Sequence, residues 1–178
     1  MATLTVETGQ ITTGANTYIS EVDAISYITN YTPYGDEFVS YDESAFQLAL
    51  IQAAQAMDYQ YGDKYLGAIV SDTQPLLFPR KTFWDRFGRE RTEGTIPTEL
   101  KNAQVELAVI IYNGTDPFAA VSTDNNVTSK SVAIQGAIST SVTYSKPVQD
   151  EMFVGLRRVE RNLQAVLVKS TKVTRIKL

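Results

Sequence analysis

Hydrophobic positions in this chain fall into four runs at helical spacing and two stretches of alternation. Ala24, Ile25 and Ile28 follow Ser20-Glu21-Val22-Asp23, where a hydroxyl stands three residues ahead of a carboxylate in a weak form of capping box. This predicts a short helix over about 21–30. Tyr31-Thr32-Pro33-Tyr34-Gly35-Asp36 then reads as a turn, because proline cannot continue a helix. Ser40-Tyr41-Asp42-Glu43 is a full capping box, and Phe46, Leu50, Ala53, Ala54, Met57 and Tyr61 recur behind it. They predict the longest helix, about 41–60, with the Phe46, Leu50 and Met57 stripe in the core and a partner groove as the lesser alternative. Ile96-Pro97 opens a third helix whose apolar face is Leu100, Ala103, Leu107, Ile110 and Ile111, closed by Asn113-Gly114. Pro147 opens a fourth, with Met152, Phe153, Leu156, Val159 and Leu163 as its buried stripe.

Between the second and third helices, Gly62 to Thr95 carries four glycines and two prolines among charges and aromatics. A long irregular loop with short strands is expected there, and loops of that length are usually functional. Two turn-rich segments, Asn113-Gly114-Thr115-Asp116-Pro117 and Asp124-Asn125-Asn126, bracket a link. Beyond it Val132 and Ile134, then Ile138, Thr140, Val142 and Tyr144, alternate with Ser and Thr around Gly136, the period of a β-hairpin over about 127–145. Its edges are open unless a neighbour covers them, so pairing between subunits and a solvated hairpin both stand. The ending, Val173-Thr174-Arg175-Ile176-Lys177-Leu178, alternates with basic residues and reads either as a tail that docks on another chain or as a frayed terminus. The fold class is therefore mainly α, and α+β overall: one domain over 1–178, with a helical body at about 15–113, the hairpin, and a C-terminal helix and extended tail at about 147–178.

Composition narrows the chemistry. The chain has no histidine and no cysteine, which removes the commonest general base and metal ligand and every thiolate or Ser-His-Asp arrangement. No phosphate-binding loop, dinucleotide fingerprint or EF-hand spacing is present. The expectation is a protein that is not an enzyme, with no catalytic, cofactor-binding or metal residues and no cofactor; a carboxylate-only Mg²⁺ site is the distant remainder. No apolar run reaches the roughly 18–20 residues of a membrane span and the start lacks a signal-peptide pattern, so a soluble, unexported chain without a membrane partner is expected.

Charge is divided unevenly. Residues 1–79 hold one base, Lys64, and ten acids, a net charge of -9, whereas residues 80–178 hold fifteen bases and ten acids, a net of +5. Such polarity suits a subunit whose acidic side meets a neighbour's basic side, or a basic side that faces a polyanion; a chance gradient over a solvated surface is the bland account. The densest constellation runs from Phe78 to Arg91 and interleaves bases with aromatics. Arg80, Lys81, Arg86, Arg89 and Arg91 could meet phosphates while Phe83, Trp84 and Phe87 stack on bases, or the same rings could anchor the loop on the core or on another subunit. A second basic region holds Arg157, Arg158, Arg161, Lys169, Lys172, Arg175 and Lys177 against Glu160. Attraction to phosphate or to an acidic partner competes there with an ordinary solvated helix face.

Several short segments in order resemble a phage family often labelled DnaT-like single-stranded-DNA-binding protein, itself similar to the helical head-tail connectors, or adaptors, of tailed phages. They are Ala15-Asn16-Thr17-Tyr18-Ile19-Ser20 with Asp23-Ala24 and Tyr27, Ala49-Leu50-Ile51-Gln52-Ala53 with Asp58, Gln74-Pro75-Leu76-Leu77-Phe78-Pro79-Arg80, and Ile96-Pro97 with Ala103 and Glu106-Leu107-Ala108. Phe78-Pro79-Arg80 stands where such proteins typically show Trp-Pro-Arg. The resemblance implies a four-helix adaptor-like body and a homo-oligomeric ring, usually a dodecamer, that binds the portal protein above and a tail tube or nozzle protein below, with double-stranded genomic DNA passing through its lumen. It also implies a place at the head-tail junction of the virion after assembly in the host cytoplasm. On this reading the loop Arg80, Lys81, Phe83, Trp84, Arg86, Phe87, Arg89 and Arg91 faces DNA or a partner, and Lys169, Lys172, Arg175, Ile176 and Lys177 dock the tail. The alternative is a DnaT-like binder of single-stranded DNA in phage replication.

Overall fold

The computed structural model describes residues 3–115, 127–134, 138–144 and 149–168, with side chains described over 3–115 and 156–168. Among the described residues four α-helices carry the fold: α1 (Glu21–Tyr31), α2 (Glu43–Tyr61), α3 (Thr98–Tyr112) and α4 (Gln149–Leu163). Two antiparallel pairs accompany them, β1 (Phe83–Trp84) with β2 (Glu90–Arg91) and β3 (Val127–Ile134) with β4 (Ile138–Tyr144). The result is mainly helical with a small β component, as the sequence predicts.

Ser20 caps α1 as expected, its hydroxyl accepting from the Asp23 N–H at 3.1 Å. The start of α2 corrects the sequence reading by two residues. The cap is Asp42, whose carboxylate accepts from the Ala45 N–H at 3.0 Å, and Ser40 stays outside the helix. Asp and Ser are about equally good caps. Here the 3-10 turn at Glu37–Val39 buries Phe38 and spaces the chain so that Asp42 arrives at the capping position. Phe38 then packs edge-on against Phe46 at 5.1 Å and beside Tyr112 at 5.3 Å, which ties the entrance of α2 to the end of α3. Pro97 is the cap residue of α3 and not its first helical position, and Gly114, at φ 78°, sits in the left-handed conformation just past the helix end.

α3 is the axis of the core and packs on both α2 and α4. Residues 103–109 are buried on every side, including Gln104 and Glu106. Phe46, Leu50 and Met57 are fully buried, as are Val159 and Leu163 of α4. Each such side chain contributes about 1.5–3 kcal/mol through burial. Met152 and Phe153, assigned to the same α4 stripe, have side chains outside the described ones. Gln104 is a polar tie inside this core. Its amide donates to Thr17 Oγ1 (2.7 Å) and the Leu50 carbonyl (2.8 Å), and its carbonyl accepts from the Tyr18 N–H (3.0 Å).

The alternating segment pairs as predicted, with Val132 opposite Thr140 and Ile134 opposite Ile138, and the register shifts between Val127 and Ser129. The N-terminal segment is fixed by buried Glu7, which accepts from the N–H groups of Gly9 (2.7 Å) and Thr12 (2.9 Å). Gly9 runs so close to Gly94 that a Cβ would fall 1.9 Å from its carbonyl oxygen, so only glycine fits. The basic ending with Lys169, Lys172, Arg175, Ile176 and Lys177 lies outside the described residues.

Candidate functional site

The segment between α2 and α3 is irregular, as expected, but strongly anchored. Its base is a buried knot. The Tyr18 hydroxyl donates to Asp58 (2.6 Å), the Leu77 N–H donates to the same carboxylate (2.9 Å), and the Phe78 N–H donates to the Tyr18 oxygen (3.3 Å). Phe78 is fully buried between Tyr65 at 5.1 Å and Tyr18 at 6.3 Å. Arg80 lies over the Phe78 and Tyr65 rings and donates through Nη2 to the Gly67 carbonyl at 2.7 Å.

Burial drives the Asp58 carboxyl up to about 6, against the opposing pull of the Tyr18 and Leu77 hydrogen bonds and of Arg80. The folded value exceeds the unfolded value of about 3.9, so the fold binds this proton more tightly than the open chain does. Its contribution is complete below about pH 4 and is lost as the pH rises through about 6, a decline on the order of 2 kcal/mol after allowance for partial exposure. Urea unfolding between pH 4 and pH 8 should show this decline in the native chain and not in Asp58→Asn; parallel curves for the two would refute it.

From this base β1 and β2 project as a tight hairpin, with Phe83 opposite Arg91 and Trp84 opposite Glu90. Asp85 organises it. Its buried carboxylate accepts from the N–H groups of Phe87 and Arg89 (both 2.9 Å), from Arg89 Nε (2.8 Å) and from Arg91 Nε (3.0 Å). Burial works to raise its pKa, but these donors outweigh it and hold the carboxyl down at about 2. Glu99, at the start of α3, takes the other ends of both guanidiniums, 3.0 Å from Arg89 Nη2 and 2.5 Å from Arg91 Nη2. The turn backbone is sewn to the chain after α4 by the Arg86 N–H, which donates to the Ala165 carbonyl at 3.0 Å.

The eight residues singled out from the sequence therefore separate. Arg80 and Phe83 are buried and Arg91 is mostly covered by its acid partners. Trp84 and Phe87 remain 65% and 64% exposed, Lys81 and Arg86 are exposed beside them, and Arg89 stacks over Phe87 at 5.5 Å while held by Asp85 and Glu99. The outward face is two large rings with two cations, Lys81 and Arg86, that no acid pairs with among the described residues. Across the hairpin and its surroundings Lys81, Arg86, Arg89 and Arg91 are matched by Asp85, Glu90, Glu93 and Glu99, so the patch is close to neutral.

Of the second basic region, Arg157 and Arg161 are exposed, and Arg158 reaches back to Glu106, 3.5 Å from Oε2, beneath Tyr27, whose hydroxyl donates to Glu106 Oε1 at 3.1 Å. Arg158, Arg161 and Asn162 of α4 line a cleft with Glu106 of α3 and with Tyr27 and Tyr31 of α1. Sequence reasoning did not assign Gln104, Glu106 or Asp85 these anchoring roles; the available signal was polar residues set among apolar or aromatic neighbours. Among the described residues no group of three potential metal ligands is brought together, and no helix is long and apolar enough to cross a membrane. A family model described as "Putative DnaT-like ssDNA binding protein" matches residues 2–178. No curated protein and no solved structure matches the chain.

Proposed function

Because the chain belongs to the DnaT-like ssDNA binding protein family, we propose that it acts by binding alone, with the exposed Trp84 and Phe87 rings as its contact surface and no bond made or broken. The family description names single-stranded DNA and no adaptor, so the connector likeness of the sequence enters only as part of this proposal. Of the two partners open to the hairpin, a protein fits the geometry better. The carrying observation is that Asp85 and Glu99 already take up the guanidiniums of Arg89 and Arg91, and Arg80 is turned inward. Phosphate capture needs a positive field, whereas large rings on a neutral, rigid turn are the usual centre of a protein interface. Joined to the connector likeness of the sequence, this favours as our reading a structural virion protein: a head-to-tail adaptor, one copy in a ring between the portal protein and the tail around the double-stranded genome.

The second reading, a single-stranded-DNA binder in phage replication, is favoured by the family description and by exposed Lys81 and Arg86 beside the two rings. One reporter separates the two, because Trp84 is the chain's single tryptophan. Under the adaptor reading, Trp84 emission changes on adding purified portal protein, electron microscopy shows a ring, and Trp84→Ala with Phe87→Ala abolishes it. An oligonucleotide that instead quenches Trp84 with micromolar, steeply salt-dependent affinity, with no ring on portal, transfers the function to single-stranded DNA.

A further inference from the structure

Helix α1 separates two clefts of opposite charge. One flank of the helix bears Glu21, Val22 and Ile25, which with Tyr41 and Glu43 line an acidic, partly apolar cleft. Tyr27 and Tyr31 on the other flank form the second cleft with Glu106, Arg158, Arg161 and Asn162, where two guanidiniums against one carboxylate leave a net positive charge. At about 100° per residue the two sets lie roughly 150° apart around the α1 axis, so the clefts face nearly opposite ways.

Neither charge set is fully compensated within the chain. Glu21 accepts from the Tyr41 hydroxyl (2.8 Å) and the Gln47 amide (2.7 Å), and Glu43 shares that amide at 3.1 Å; these donors are neutral. Among the described residues no cation pairs with Glu21 or Glu43, and no carboxylate pairs with Arg161. Arg158 Nη1, 3.5 Å from Glu106, is buried without a hydrogen-bond partner. Each cleft also carries exposed apolar surface, Val22 at 79% and Tyr31 at 75%. A carboxylate-bearing apolar patch would answer the second cleft, and the first cleft is such a patch.

We propose that copies of this chain associate head to tail, the Glu21, Val22 and Glu43 cleft of one seating on the Tyr31, Arg158 and Arg161 cleft of the next. The two patches are different and face away from one another, so the contact is heterologous and repeats from copy to copy. The division of net charge between residues 1–79 and 80–178 has the same sense. The inference deepens the reading of the chain as an assembling subunit and rests on it, while the hairpin stays free for a different partner.

Sedimentation velocity on the full chain over a concentration series tests it. Arg161→Glu and Glu43→Lys both change exposed side chains at helix ends, so each should lower the unfolding midpoint by only about 1–4 °C while weakening self-association by about tenfold or more. An equimolar mixture of the two variants, or both changes in one chain, should restore association, because each reversed cleft then meets its complement. A chain monomeric at every concentration, association indifferent to either change, or failure of the mixture to recover would overturn the proposal. A portal-bound ring that forms equally well with Arg161→Glu discards this interface and leaves the adaptor reading intact, whereas no ring from the native chain discards the adaptor reading itself.

Discussion

Gln104→Leu should lower the unfolding free energy by about 3 kcal/mol, although leucine is close to glutamine in volume and more apolar. The substitution leaves little cavity, so the cost comes from the hydrogen bonds. The Tyr18 N–H loses its side-chain acceptor in a fully buried place, and the amide donors to Thr17 and Leu50 disappear. A stranded buried donor costs about 1–3 kcal/mol, and each lost neutral hydrogen bond about 1 more. For a chain of this size the same loss lowers the melting temperature by about 6–12 °C. Urea unfolding followed by circular dichroism reads it directly. A loss under about 1 kcal/mol would mean that α1, α2 and α3 do not depend on this tie.

The second large effect belongs to Asp85. Asp85→Ala removes one acceptor from four donors at once and leaves Arg89 and Arg91 crowded against Glu99 alone. Breaking one side of a buried pair costs about 3–5 kcal/mol. The hairpin can open by itself, however, so part of that loss will be local and will not reach the whole fold. The expected result is loss of partner binding through Trp84, with a global destabilisation smaller than that of Gln104→Leu. Asp85→Asn should fall between, because a neutral oxygen can still accept from Phe87 and Arg89. A native acid titration adds a sign: the Asp85 pKa is depressed, so its stabilisation is present above about pH 4 and is lost as the pH falls towards 2, opposite to Asp58. Unchanged portal or oligonucleotide binding by Asp85→Ala would show that the contact surface lies elsewhere.

Periodicity and punctuation made the helices legible. Phe46, Leu50 and Met57 stand at spacings that only a helix brings to one side, and Ser20 and Gly114 mark ends that the structure keeps. The α2 cap escaped by two residues because Ser40 and Asp42 are equally fit to cap, and the choice depends on where Phe38 is buried. Gln104 sits four residues after Leu100 and three before Leu107, on the apolar side of α3, and a single polar letter there does not reveal its partners at positions 17, 18 and 50. The candidate loop was legible as a composition but not as a surface. Whether an arginine faces out depends on acids brought near by folding, and Glu99 reaches Arg91 only because α3 begins beside the hairpin.

The chain after α4 lies between two loops. The Leu66 N–H donates to the Val166 carbonyl and the Val168 N–H to the Lys64 carbonyl, both at 2.8 Å, while Ala165 holds Arg86. A displacement of Val168 is therefore passed on through these bonds. It reaches Lys64 and Leu66 on one side and the turn that carries Trp84 and Phe87 on the other, so the placement of residues 165–168 and the attitude of the two rings are coupled.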